Sequence, residues 1–159
     1  MQLILVSGLS GSGKSIALNV LEDSSYFCID NLPLPLLTET ARYLLGSGVT
    51  QTAISIDARS SSDLNQLPQI IATLREEKLD VRVLFLEAKT ETLVKRFSET
   101  RRRHPLSDGD RTLTECIEHE QEQLEAVSDL GHRMDTSEIS PNALRSWIKD
   151  FIELDRSRL

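Results

Sequence analysis

An apolar run, Leu3-Ile4-Leu5-Val6, leads into Gly8-Leu9-Ser10-Gly11-Ser12-Gly13-Lys14-Ser15, and this into Ile16, Ala17, Leu18, Val20 and Leu21 at helical spacing. No other stretch constrains the fold as strongly. It matches G-x-x-x-x-G-K-[ST], a pattern that works only as a strand–loop–helix unit. Gly8, Gly11 and Gly13 permit backbone angles that a side chain opposes. The N–H groups of Gly8, Leu9, Ser10, Gly11, Ser12, Gly13, Lys14 and Ser15 can then form an anion-binding nest at a helix N-terminus. In such a nest Lys14 reaches the β- and γ-phosphate oxygens, and the Ser15 hydroxyl takes one place on a Mg²⁺ ion. The ligand this predicts is a nucleoside phosphate.

Downstream, strand-like and helix-like segments alternate. The expected strands are Gln2–Val6, Tyr26–Ile29, Thr52–Ile56, Val81–Leu86 and a short one over His132–Thr136. Between them lie helical stripes: Leu36, Leu37, Ala41, Leu44 and Leu45, closed by Gly46 and Gly48; then Leu67, Ile70, Ile71 and Leu74; then Leu93, Val94 and Phe97, with Thr90 as expected N-cap. Thr112-Leu113-Thr114-Glu115 reads as a capping box opening a helix with Leu113, Ile117, Leu124 and Val127 inward. Ser140-Pro141 starts a last helix carrying Leu144, Trp147, Ile148 and Phe151. The alternation predicts an α/β P-loop NTPase fold: an open, mostly parallel five-stranded sheet with helices on both faces, laid out as in nucleotide kinases. Residues 1–152 read as one domain, with 153–159 as a tail or linker.

The chain carries 25 acidic and 18 basic residues, a formal net charge of −7. That balance argues against a nucleic-acid-binding module by bulk charge. Cys28 and Cys116 fall in regular segments without a C-x-x-C spacing and read as buried free thiols of a cytoplasmic protein. No run reaches the length of a membrane span, and no signal peptide is expected before the first strand.

Ligands of open α/β sheets sit beyond the carboxyl ends of the strands, where Asp30, Asp57, Glu87 and Asp135 fall. Asp57 is the first candidate for the Mg²⁺ carboxylate, with Ser15 as the other metal contact; capping of the next helix is its competing role. Glu87 is the runner-up. Arg59 suits a phosphate or a guanine-type edge, or a solvated surface. Asp30 stands where a general base would face an acceptor hydroxyl, or where an Asx-turn closes on Leu32-Pro33. Asp135-Thr136-Ser137 either lines the base or caps the last helix. Arg101-Arg102-Arg103, ahead of His104-Pro105 and a polar loop, reads as a lid whose arginines stabilise charge on a phosphoryl group, or as a solvated helix end. Lys14, Arg101 and Arg102 are the candidate catalytic residues.

These motifs together resemble a known family. The phosphate loop, Leu21-Glu22-Asp23, Cys28-Ile29-Asp30-Asn31-Leu32-Pro33, Ser55-Ile56-Asp57-Ala58-Arg59, Leu84-Phe85-Leu86-Glu87-Ala88 and Thr100-Arg101-Arg102-Arg103-His104-Pro105-Leu106 are similar to those of the bacterial RNase adapter proteins (RapZ, YvcJ-type nucleotide-binding proteins). The resemblance implies binding of ATP or GTP through Gly8–Ser15 and through Asp57, Ala58, Arg59 and Ser60, with weak hydrolysis and a regulatory role. It implies that the whole protein engages a small RNA and an endoribonuclease and thereby adjusts amino-sugar synthesis. It further implies a second domain of similar size holding the basic RNA-binding region, so that this chain reads as the N-terminal domain alone. A small-molecule or nucleotide kinase is the alternative, and a scaffold with purely structural nucleotide a third reading. Homo-oligomerisation is left open.

Overall fold

The computed structural model describes residues 1–56, 61–100, 103–107 and 109–156. Five strands form one sheet: β1 (Gln2–Gly8), β2 (Phe27–Leu32), β3 (Gln51–Ile56), β4 (Asp80–Glu87) and β5 (His132–Asp135), in the order β2-β3-β1-β4-β5 and parallel at every pairing. The helices are α1 (Lys14–Asp23), α2 (Leu37–Gly46), α3 (Leu67–Glu76), α4 (Thr90–Thr100), α5 (Leu113–Ser128) and α6 (Pro141–Arg156). The expected α/β architecture is therefore the observed one.

β1 lies at the centre of the sheet, which explains its unbroken apolar run: a parallel strand covered on both faces has no solvent side. Its residues alternate between two cores. Leu3 and Leu5 pack with Leu37, Ile71, Leu93, Ile117 and Leu124 of α2, α3, α4 and α5. Ile4 and Val6 pack with Ala17, Leu21, Leu144 and Ile148 of α1 and α6. Each buried aliphatic side chain contributes about 1.5–3 kcal/mol.

Several local details differ from expectation. β2 begins after Tyr26, whose N–H closes α1 on the Leu21 carbonyl, and it continues to Leu32. Its pairing with β3 shifts between Ile29 and Leu32, where Asn31 takes φ 54°, an angle asparagine tolerates. A 3-10 turn over Leu34–Leu36 precedes α2, with Pro35 inside it. Thr90 is the first helical residue of α4, not its cap: the Leu93 N–H bonds the Lys89 carbonyl, and the Thr90 hydroxyl accepts from Gln121 of α5. The capping at Thr112 forms as expected, its hydroxyl accepting the Glu115 N–H at 3.1 Å. α6 continues through Arg156, so the polar tail begins as helix.

Candidate phosphate-binding site

The loop between β1 and α1 starts where β1 runs out against β4. Gly8 pairs with Leu86 and takes φ 150°, and a Cβ there would stand 2.3 Å from the Leu86 carbonyl oxygen. The two strands approach so closely that no side chain fits. The Leu9 N–H then bonds that same carbonyl at 3.1 Å, and the Leu9 side chain turns into the core. Gly13, the residue ahead of α1, takes φ 110°, and its missing Cβ leaves room for Leu144 of α6.

The loop's carbonyls are engaged one after another. The Leu9 carbonyl accepts from the Ser12 N–H at 3.0 Å and from the Ser12 hydroxyl at 2.5 Å. The Gly11 carbonyl accepts from the Arg96 guanidinium of α4 at 3.0 Å. The Ser12 carbonyl accepts from the buried Thr136 hydroxyl at 2.7 Å, and the Gly13 carbonyl from the Ala17 N–H at 3.1 Å. With the carbonyls held, the N–H groups of Gly11, Gly13 and Ser15 have no hydrogen-bond partner among the described residues. Donors at a helix N-terminus with no protein acceptor form an anion cradle. Lys14 is half-buried beside it and Ser15 is exposed at the helix start.

Arg96 and Thr136 form one clamp. Arg96 donates to the Thr136 hydroxyl at 3.0 Å and to the Thr136 carbonyl, while Thr136 donates on to Ser12. Partial burial pulls the Arg96 pKa down, and Asp135 opposes this. Asp135 itself is turned to Ser137, whose hydroxyl and N–H hold its carboxyl below the usual carboxylate value. The Asp135-Thr136-Ser137 turn therefore supports the phosphate loop, a part not foreseen for it, and the Ser140 hydroxyl caps α6 instead, accepting from the Ala143 N–H.

Behind the loop stands Glu120 of α5. Its carboxylate accepts the Ser10 N–H and the Ser10 hydroxyl, each at 2.6 Å, and lies 3.4 Å from His104 Nε2. Burial is the largest single influence on this carboxyl and pushes its pKa up. The hydrogen bonds from His104 and Ser10 outweigh it and hold the pKa below the usual value. Of these the His104 contact is long and out of line, leaving Nε2 without a regular hydrogen bond, so the paired bonds from Ser10 do most of the holding.

The remaining expected site residues divide. Asp57, Ala58, Arg59, Ser60, Arg101 and Arg102 lie outside the described residues. Glu87 is committed to Arg133 at 2.7 Å, which weakens it as a metal carboxylate. Asp30 is exposed at the end of β2. Among the described residues no cluster of three His, Cys, Asp or Glu is placed to hold a metal ion. A wide groove of about 880 Å³ lies along β5 and α6, lined by Val83, Trp147 and Phe151 among others; it does not include the phosphate loop.

Arg96, Glu120, His104 and Thr136 were missed as loop contacts. Only Glu120 left a clear trace in the sequence: it falls at the inward position between Ile117 and Leu124.

The RapZ-like N-terminal domain profile matches residues 1–156. A nucleotide-binding protein of Thiobacillus denitrificans is 58% identical over 159 residues, all of this chain and 57% of that protein. One of Chromobacterium violaceum is 56% identical with the same coverage. The chain thus spans just over half the length of these curated relatives. Among solved structures, the YorR protein of Bacillus subtilis, in complex with phosphorylated GDP, has a TM-score of 0.65 at 18% identity, covering 98% of each chain. Shikimate kinase from Acinetobacter baumannii, in complex with shikimate, has a TM-score of 0.63 at 13% identity, covering 98% of this chain and 93% of that one. At such identities the likeness is one of fold, a P-loop kinase-like fold. The sequence match, running from residue 1 to residue 156, is more specific: the chain belongs to the RapZ-like N-terminal domain family.

Proposed function

We propose that this chain is the nucleotide-binding regulatory domain of an RNase-adapter protein, taking ATP or GTP with Mg²⁺ at the loop between β1 and α1. The observation that carries the reading is the engagement of the Leu9, Gly11, Ser12 and Gly13 carbonyls by protein donors. It leaves a cradle of N–H groups beside Lys14 that fits phosphate oxygens. Lys14 would bind the β- and γ-phosphates and stabilise charge on the latter. Ser15 would meet the metal, with Asp57 as the proposed carboxylate; a Mg²⁺ that keeps most of its waters and bridges substrate phosphates needs few protein ligands. Arg101 and Arg102 would add positive charge at the phosphates, and hydrolysis would be weak. The names of the relatives in Thiobacillus and Chromobacterium support the nucleotide.

A kinase needs an acceptor pocket after β2. Here Leu34 and Leu37 are buried in the core, and Asp30 is the one acidic residue in the sequence from Phe27 to Leu37. This favours the regulatory reading over phosphoryl transfer to a small molecule. Recognition of a small RNA and an endoribonuclease would belong to the rest of the protein, since the charge of this chain repels RNA.

Titration calorimetry with ATP and GTP, with and without Mg²⁺, tests the site. Lys14→Ala removes a charge-assisted contact and should lower affinity about tenfold or more. Unchanged affinity refutes the assignment. A coupled assay across sugars and nucleosides tests the kinase alternative, which a phosphorylated product would restore.

A further inference from the structure

Glu120 is the only carboxylate in the buried set among the described residues. It occupies an inward position of α5, flanked by Ile117 and Leu124. An apolar side chain there would cost no charge desolvation, which for a buried carboxylate amounts to several kcal/mol before compensation. The compensation is specific: both oxygens are spent on Ser10, one on its N–H and one on its hydroxyl, 110 residues away in the chain. Ser10 is the third residue of the phosphate loop. Its N–H is thereby withdrawn from the donors that face an anion, and its position is fixed to α5.

On the other side of the carboxylate is His104, equally buried. Its Nδ1 accepts the Leu106 N–H at 3.0 Å, so that nitrogen bears no proton, and the ring is the neutral Nε2–H tautomer facing Glu120. With the carboxylate in the middle, the imidazole cannot take the Ser10 proton, so this is not a nucleophile relay. A second contact runs in parallel. The His104 ring packs on Phe97 at 5.3 Å, and Phe97 lies against Gly11 of the same loop. The turn that follows Arg103 therefore touches the phosphate loop twice, at Ser10 through Glu120 and at Gly11 through Phe97.

We propose that Glu120 is a positioning residue of the phosphate loop, and that through it the His104 turn sets the affinity of the loop for nucleotide. The affinity part rests on the nucleotide reading above; the positioning part does not. Three variants separate the contributions. Glu120→Gln keeps an oxygen for the Ser10 N–H and offers its amide to the Ser10 hydroxyl. Glu120→Ala removes both. His104→Asn keeps an acceptor for the Leu106 N–H but is too short to reach Glu120; it also gives up the ring contact with Phe97, so the Ser10 amide, which Glu120 holds, is the readout specific to the path through Glu120.

The readouts are the Ser10 amide resonance of the ¹⁵N-labelled free protein and the affinity for fluorescent mant-ATP and mant-GTP with Mg²⁺. Glu120→Ala should move the Ser10 amide upfield and weaken binding at least about tenfold, Glu120→Gln should stay within about threefold of wild type, and His104→Asn should shift Ser10 and weaken binding about threefold. If Glu120→Ala does not fold, Glu120→Gln and His104→Asn decide. Loss of binding by Glu120→Gln as severe as truncation, or a His104→Asn protein with Ser10 and affinity both unmoved, overturns the proposal. A wild-type protein that binds neither nucleotide overturns the nucleotide reading and the affinity part, while the Ser10 resonance still decides the positioning.

Discussion

Thr136→Val keeps the shape of a side chain that is 1% exposed and removes only its hydroxyl. That hydroxyl has one proton, given to the Ser12 carbonyl at 2.7 Å in preference to the Glu87 carbonyl at 3.3 Å, and it accepts from Arg96 at 3.0 Å. In the variant the Ser12 carbonyl loses its donor behind the loop, where leaving a buried acceptor unpaired costs about 1–3 kcal/mol. Arg96 retains the Gly11 and Thr136 carbonyls, so its own loss is at the low end, near 0.5 kcal/mol. The sum is about 2 kcal/mol. For a domain of this size that lowers Tm by about 4–8 °C. Thr136→Ser keeps the hydroxyl and gives up one methyl, about 0.8 kcal/mol of burial. Urea unfolding and thermal melts of both variants, with nucleotide titrations alongside, measure the difference. The valine variant should lose both stability and nucleotide affinity, and the serine variant should keep most of the affinity. Equal behaviour of the two would show that the hydroxyl does not hold the loop.

Gly8→Ala sets a Cβ against the Leu86 carbonyl at an unfavourable φ and should cost about 3 kcal/mol or more by urea unfolding, whereas Gly46→Ala, at an open helical position, should be neutral or stabilising by up to about 1 kcal/mol; similar effects at both sites would contradict the close approach of β1 and β4. The Glu120 carboxyl has a folded pKa below its unfolded one, so its ionised form contributes stability above the ordinary carboxylate range, and that contribution is lost as pH falls through the folded value. Unfolding measured from about pH 7 down to about pH 3 should therefore show the advantage of wild type over Glu120→Gln shrinking on acidification, and a growing advantage would refute the sign. Burial first, and Glu22 second, push the Cys28 thiol up to about 11, so the native protein should resist iodoacetamide at about pH 8; rapid alkylation of Cys28, read by mass spectrometry, would contradict this.

The fold was legible because its signals are local. An apolar run that does not alternate identifies a strand covered on both faces, and β1 is that strand. The phosphate loop was legible for the same reason: glycine, lysine and hydroxyl spacings are properties of eight adjacent residues. What holds the loop was not. Arg96 belongs to no motif on α4, and His104 stands before a proline with no local partner in the sequence. Thr136 looked like part of a turn with two equal readings. Arg96 and Thr136 act on loop carbonyls 85 and 124 residues away, and His104 reaches the loop only through Glu120 and Phe97, contacts that no window of sequence brings together. Glu120 was the exception, since a carboxylate within an apolar helical stripe already asks for a partner. Glu87, the runner-up metal carboxylate at the end of an apolar strand, is paired with Arg133 46 residues away, a partner equally invisible in a local window.

The loop's clamps also set an order in time. The motif is complete once residue 15 leaves the ribosome, yet β1 can pair only after β3 and β4 exist, and the three side chains that fix the loop arrive at positions 96, 120 and 136. Each closes a long stretch of chain, an entropic cost met only when the surrounding sheet and helices form. A nascent chain therefore carries the motif through most of its synthesis without the shape that gives it affinity. The first motif in the sequence is held by side chains that arrive last, and on the proposed nucleotide reading a ribosome-bound fragment shorter than Thr136 should bind nucleotide more weakly than residues 1–159.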